Sequence, residues 1–238
     1  MCGEKCASDY NVSREDQDTY AIESYRRAQE ASKAGKFKYE LVKVEIPPNG
    51  KGGKTKVVEQ DEEPWDVDFD KLVTVRPAFQ LDGGTVTAAN ASSLNDGAAA
   101  LILMSEARAK ELGLEPLARI LGYGDAARRP EDFTTAPSLA VPVALQNAGM
   151  TIEDIQYHEI NEAFSSVALA NMQLMNLSHS NVNVFGGAVA LGHPIGASGA
   201  RILCTLYSVL KDRDATIGCA SICNGGGGAS AMIIERLN

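Results

Sequence analysis

Two stretches of this 238-residue chain set reactive side chains among glycines. In Gly192-His193-Pro194-Ile195-Gly196 a histidine sits between glycine and proline, just ahead of a helix predicted to open near Ser198. Proline fixes φ after the imidazole and glycine lets the chain turn sharply, so the ring is presented from a pre-set loop. With an ordinary pKa of about 6.5, such a group exchanges a proton at neutral pH or donates a hydrogen bond to a developing oxyanion. The second stretch, residues 217–223, reads as a buried strand that delivers Cys223 at its end, followed by Asn224 and the glycines 225–228. A thiol there is an acid/base or nucleophile candidate, beside backbone N–H groups suited to an anion or a carbonyl oxygen. The plainer alternatives are a loop histidine satisfying a carbonyl and a buried structural cysteine, the reading given to Cys204 and Cys219.

Asn161-Glu162-Ala163-Phe164 falls where a predicted strand gives way to a helix. Asn161 there can fix a water or carbonyl oxygen and Glu162 can orient a neighbour, although the same residues also suit a helix cap. Residues 85–92, Thr-Val-Thr-Ala-Ala-Asn-Ala-Ser, combine small side chains with Ser92, which lets a long thin ligand lie against backbone; a tight structural turn reads equally well. His158 and His179 lack a comparable setting and read as surface or packing residues. A zinc site on Cys219, Cys223 and His193 is excluded, because four residues of extended strand span about 13 Å, beyond one tetrahedral shell. A nucleotide loop at 192–199 lacks both the Gly-x-Gly-x-x-Gly spacing and the Lys-Ser/Thr pair.

The elements that must position these residues follow from pattern. Ser13-Arg14-Glu15-Asp16 is a capping box, and Tyr20, Ala21, Ser24, Tyr25, Ala28 and Ala31 recur at helical spacing up to Gly35, predicting a helix over 14–34. Val42, Val44 and Ile46 alternate with Lys43 and Glu45 as in a half-buried strand, with a loop over 47–53 and a hairpin returning through Val57-Val58. The acidic stretch 61–71, with the only tryptophan, Trp65, has no clear period and reads as irregular. From Leu94 onward the alternation of apolar runs and amphipathic segments is that of a layered α/β domain. It predicts strands at 98–104, 117–123, 156–160, 182–185, 215–222 and 230–235, and helices at 105–112, 137–149, 162–175 and 198–211.

Composition sets the outer bounds. At 45% apolar and 22% charged residues, the chain has the makeup of a globular protein with a substantial core. A net charge of −9 repels a phosphate backbone, and no local basic stripe offsets it, so nucleic acid is excluded as a partner. No apolar run is long enough to span a bilayer, which excludes a membrane. Five scattered cysteines suit free thiols in a reducing compartment.

Together and in this order, Asn161 to Phe164, Gly192 to Gly196 and Cys223 to Gly228 resemble the thiolase family, as do residues 12–17, 76–79, 84–92 and 94–100. The resemblance runs through essentially the whole chain. It implies an α/β class protein, the C-terminal part of a layered α-β-α-β-α fold, with residues 1–93 as an α+β loop domain over the site and 94–238 as the C-terminal core domain. It implies the Claisen condensation of two acetyl-CoA to acetoacetyl-CoA and CoA, and the reverse thiolysis, in fatty acid metabolism and in isoprenoid or sterol precursor synthesis. In that scheme Cys223 resembles the acid/base cysteine, His193 the histidine that activates the nucleophile and lines an oxyanion hole, and Asn161 the asparagine that anchors that hole's water. Ser92, Phe79, Ala163, Phe164 and Gly225 match coenzyme A contacts. Tyr25, Ala88, Ala89, Ala91 and Val189 match a potassium site of some eukaryotic members. No other cofactor is implied; the expected partners are the CoA thioesters and further copies of the chain in a dimer or tetramer. The compartment is not fixed by the sequence, with mitochondrion and cytoplasm both compatible; the C-terminal Glu235-Arg236-Leu237-Asn238 is not the usual peroxisomal tripeptide.

The sequence departs from the family at its start. It opens inside the expected loop domain, the domain carrying the acyl-accepting cysteine is not among these residues, and Cys2 and Cys6 lack that nucleophile's glycine-rich strand-to-helix setting. Without the nucleophile, covalent acyl transfer has no first step. Two expectations therefore stand: a C-terminal piece of an acetyl-transferring thiolase, or a non-catalytic chain that binds CoA thioesters or thiolase subunits. Half of the layered core would also lack its partner, leaving an apolar face and poor solubility.

Overall fold

A computed structural model describes residues 1–48 and 54–237. The chain starts with helix α1 (Cys2–Asp9) and then α2 (Arg14–Lys33), whose capping box forms in both directions: the Ser13 hydroxyl accepts from the Asp16 N–H, and the Asp16 carboxylate accepts from the Ser13 N–H. Tyr20, Ala21, Ser24, Tyr25, Ala28 and Ala31 are its buried stripe, as the spacing predicts. Strands β1 (Val44–Ile46) and β2 (Lys56–Val58) pair antiparallel as the expected hairpin; of the predicted loop, residues 49–53 lie outside the described residues. The alternation at 42–46 does not mark a buried face, since Val42, Val44 and Ile46 are all exposed. The stretch read as irregular holds a short 3-10 turn, Glu63–Trp65, and α3 (Phe69–Leu72), which Asp68 caps by accepting from the Asp70 and Lys71 N–H groups.

Beyond α4 (Glu106–Glu111) come β3 (Ala118–Ala127), α5 (Pro137–Ala148), β4 (Tyr157–Ile160), α6 (Ser165–Met175), α7 (Ala188–Leu191), α8 (Ser198–Asp212), β5 (Ile217–Cys223) and β6 (Gly228–Arg236). The four long-range strands form one sheet in the order β3-β6-β5-β4, antiparallel except for the parallel β4–β5 pair. Alternation along β5 divides the core. Cys219 and Cys223 face α5 and α6 with Ala140, Val141, Ala144 and Val167, while Ala220 faces α8 with Ile202, Leu206 and Leu210. The α5 side is tight because Gly122 and Gly124 lack a Cβ: one at either position would lie 2.5–2.9 Å from atoms of α5. This is the layered α/β arrangement the pattern predicts.

Two predicted strands do not form. Residues 98–104 belong to no strand among the described residues, with Ile102 and Leu103 exposed at 88% and 71%. An apolar β-prone run becomes a strand only beside a neighbour's free edge, and this run reaches none. Residues 182–185 make only isolated bridges, because Asn183 adopts a positive φ of 49° and breaks the run. Its carboxamide does the work of a strand instead: Oδ1 accepts from the Ile160 N–H and Nδ2 donates to the Ile160 carbonyl, both at 2.8 Å. No described helix is long and apolar enough to cross a membrane.

Candidate active site

The C-terminal ends of β4 and β5 lie side by side. Ile160 pairs with Ser221, and one residue further the Asn161 N–H donates to the Ser221 carbonyl at 3.0 Å, continuing the parallel ladder to where Cys223 ends β5. Asn161 is buried, and its Nδ2 lies 3.2 Å from Nε2 of His193. Asn161 and His193, distant in sequence, thus meet, and Asn161 lies at the sheet end that carries Cys223. Cys223 belongs to the buried cluster against which Ala163 and Phe164 pack.

The histidine loop is held at both ends. Gly192 takes φ +86° against Asn95, where a side chain would collide with the Asn95 carboxamide. The His193 N–H donates to the Ser93 carbonyl at 2.9 Å, and the ring's far nitrogen, Nδ1, stands 2.6 Å from the Ser198 hydroxyl. Burial and then the Arg201 guanidinium push the imidazole pKa below its ordinary value, which keeps the ring neutral at pH 7. Burial pushes the Cys223 thiol up to about 12, so the sulfur is held as S–H. A neutral imidazole and a protonated thiol are both groups that can exchange a proton with a substrate. Among the described residues no cluster of His, Cys, Asp or Glu could bind a metal ion.

Glu162 does more than orient a neighbour. Its fully buried carboxylate accepts from Tyr20 Oη (2.7 Å) and Asn183 Nδ2 (2.8 Å) on one oxygen, and from Ser24 Oγ (2.8 Å) and the Val189 N–H (3.0 Å) on the other. It therefore ties α2, the 183–189 turn and the Asn161 corner together. The Ala163 carbonyl accepts from both the N–H and the hydroxyl of Ser92 (3.2 and 3.0 Å), and the Phe79 ring meets Phe164 edge-on at 6.4 Å. Ser92, Phe79, Ala163 and Phe164 thus form one contiguous wall. Gly225 stands on an exposed turn after β5. The glycine run offers fewer donors than expected, since Asn224 accepts from the Gly226 N–H through its side chain and from the Gly227 N–H through its carbonyl. Tyr25, Ala89 and Val189 share a buried cluster, with Ala88 and Ala91 in the adjoining turn.

Cys6 is buried in α1 with the Ser166 carbonyl near its sulfur, the setting of a packing residue. His158 is buried, its pKa pushed down to about 4, and His179 stacks on Tyr20 at 4.6 Å; both are packing residues. Ser198, Tyr20, Ser24 and Asn183 are the site's supports that sequence reasoning missed. Only the placing of Ser198 at a helix start hinted at any of them.

The thiolase C-terminal domain model matches residues 114–236 and the thiolase N-terminal domain model residues 1–107. The chain is 58% identical over 237 residues to the cytosolic acetyl-CoA acetyltransferase ERG10 of Gibberella zeae, covering 100% of this chain and 59% of that protein. Its structure is similar to that of the Acat5 thiolase from Ascaris suum in complex with coenzyme A, with TM-score 0.90, 48% identity, 99% of this chain and 59% of that one. It is also similar to human mitochondrial 3-ketoacyl-CoA thiolase, with TM-score 0.93, 38% identity, 100% of this chain and 59% of that one. The chain thus spans about three-fifths of the length of these relatives, one named cytosolic and another mitochondrial. With both domain models matched in order and the thiolase fold reproduced over its length, the chain belongs to the thiolase family.

Proposed function

We propose that this chain supplies the acid/base part of an acetyl-CoA C-acetyltransferase site, and that the complete enzyme condenses two acetyl-CoA to acetoacetyl-CoA and CoA and runs the reverse thiolysis. The observation that carries the reading is the Asn161–His193 contact at the sheet end where Cys223 emerges. An unactivated α-carbon needs a base, and the enolate it leaves needs hydrogen-bond donors aimed at its oxygen. Cys223, made a thiolate by giving its proton to the CoA sulfur that leaves when the first acetyl group is taken up, takes the α-proton of the second acetyl-CoA; the enolate oxygen is received by His193 and by a water anchored on Asn161. The carbanion attacks the acyl thioester carbonyl, and the acyl-bearing thiol leaves. In the reverse direction Cys223, held as S–H by burial, returns the proton. Ser92, Phe79, Ala163, Phe164 and Gly225 line the path of the coenzyme A arm; Phe79 is half exposed, as a ring that waits for a ligand would be.

The acyl-accepting nucleophile and the oligomer, a dimer or tetramer, belong to the complete enzyme in this reading. Residues 1–93 act as the layer over the site and 94–238 as its core. The set of Tyr25, Ala88, Ala89, Ala91 and Val189 suits potassium chemically. A phenol held neutral by burial and backbone carbonyls are hard, uncharged oxygen donors, and Tyr25, Ala89 and Val189 already share one buried cluster. The ion would brace the turn that carries Ser92.

The test is thiolysis of acetoacetyl-CoA by the complete enzyme. His193→Ala and Cys223→Ala are each expected to lower kcat at least about 100-fold; near-normal rates in both would refute the roles. If this chain binds CoA thioesters or thiolase subunits and none of its longer forms turns over acyl-CoA, the non-catalytic reading holds instead.

A further inference from the structure

We propose that Ser198 is a positioning residue for the imidazole: its hydroxyl donates to Nδ1 of His193 and so keeps the proton of the neutral ring on Nε2, the nitrogen that faces Asn161. A serine hydroxyl has one proton to give, and two acceptors compete for it. Nδ1 stands at 2.6 Å and the Pro194 carbonyl at 3.2 Å. That carbonyl already accepts from the N–H groups of Ala197 (2.7 Å) and Ser198 (3.0 Å), which occupies both of its lone pairs. Nδ1 is the unfilled acceptor. The 2.6 Å separation is also the length of a hydroxyl donor bond, whereas a ring N–H reaching an oxygen settles at about 2.9 Å.

The Asn161 carboxamide can accommodate an Nε2–H ring. Its Oδ1 is buried and without a hydrogen-bond partner among the described residues, while its Nδ2 faces Nε2. A half-turn of the carboxamide, which keeps its shape, puts Oδ1 onto an Nε2–H at the same 3.2 Å. It also turns the Nδ2 donors to the position where Oδ1 has no hydrogen-bond partner among the described residues.

The proton location matters through the acyl-transfer reading, on which this inference rests: only an Nε2–H can donate to an enolate oxygen on the Asn161 side. A neutral serine does this without stabilising the imidazolium as a carboxylate would. Ser198 is fully buried at the first residue of α8, so the packing of that helix fixes where the hydroxyl points.

Long-range 1H–15N correlation spectra of the chain labelled at its three histidines read the tautomer directly. The expected result is Nε2–H for His193 in the unsubstituted chain, loss of that single tautomer in Ser198→Ala, and its return in Ser198→Thr. An Nδ1–H ring in the unsubstituted chain would overturn the proposal even if the alanine variant fails to fold, and so would an unchanged tautomer in a folded Ser198→Ala. In the complete enzyme Ser198→Ala should lower kcat roughly 10- to 100-fold with little change in KM, and unchanged kcat in a folded variant would also refute the assignment. A complete enzyme with no thiolysis at all, but with His193 as Nε2–H, would refute the proposed function and leave the tautomer assignment standing.

Discussion

Two ionisable side chains outside the proposed chemistry and one inside it show what burial does to a proton. Cys223 has its thiol pushed up to about 12 by desolvation, so it should resist alkylation at neutral pH despite its place at a site. Iodoacetamide labelling followed by peptide mass mapping is expected to mark partly exposed Cys2 first at pH 8, and Cys223 only as the pH rises beyond 10. Glu40 has its carboxyl pushed up to about 7 by burial, against the Thr205 hydroxyl that it accepts from. An acid whose folded pKa lies above its unfolded value binds more protons folded than unfolded between the two, so its contribution is present below about pH 4.5 and lost as the pH rises to 7. Glu40→Gln should therefore raise the unfolding free energy at pH 8, by about 3 kcal/mol at most, and change it little at pH 4.5. Denaturant midpoints at the two pH values check this. His158, pushed down to about 4, has the opposite sign: stability is lost as the pH falls from about 6.5 toward 4.

Side chains add to the backbone ladders in holding individual elements in place. Asn183 closes the edge of β4, and Glu162 gathers donors from α2 and from the turn leading into α7. Removing one donor leaves the buried Glu162 carboxylate with one hydrogen bond fewer and no water to replace it. Tyr20→Phe is accordingly expected to cost about 1–3 kcal/mol, read as a shift in urea midpoint. Gly187→Ala should be worse, because its Cβ would overlap the Glu162 carboxylate and neither backbone nor carboxylate is free to give way. A Gly187→Ala chain with an unshifted midpoint would show that the Glu162 cluster is looser than its hydrogen bonds imply.

At the scale of the whole molecule the sheet is covered on both faces, yet one apolar stretch is left out. Leu94, Leu101, Ile102, Leu103 and Met104 are all exposed along a segment that forms no ladder. A run of exposed β-prone apolar residues is a template for pairing between chains. The chain is expected to self-associate at micromolar concentration, and Ile102→Lys combined with Leu103→Glu to raise the monomer fraction in light scattering without lowering the unfolding midpoint. Unchanged association in that double variant would place the contact elsewhere, with the exposed β1–β2 hairpin next to be tested.

The motif residues and the periodic elements were legible because their signals are local. A capping box, a helical stripe or a glycine beside a histidine constrains φ, ψ and burial within a few residues. The helices at 14–33, 137–148 and 198–212 and the strands ending at Ile160 and Cys223 fall where their patterns put them. Residues 98–104 failed for a non-local reason, since a strand exists only with a partner edge and this stretch found none, whereas 182–185 is broken by the positive φ of Asn183, whose carboxamide bonds Ile160 in place of a backbone ladder. The supports of the site were likewise beyond pattern, because Tyr20, Ser24 and Asn183 reach Glu162 from distant parts of the sequence. The periodic pattern by itself determined the layered α/β class, and the three motifs carried the resemblance to the family. Tertiary structure alone decided that Asn161 touches His193, that Ser198 stands at its other nitrogen, and that burial keeps Cys223 protonated, since these depend on distances across the fold and on the water excluded from it.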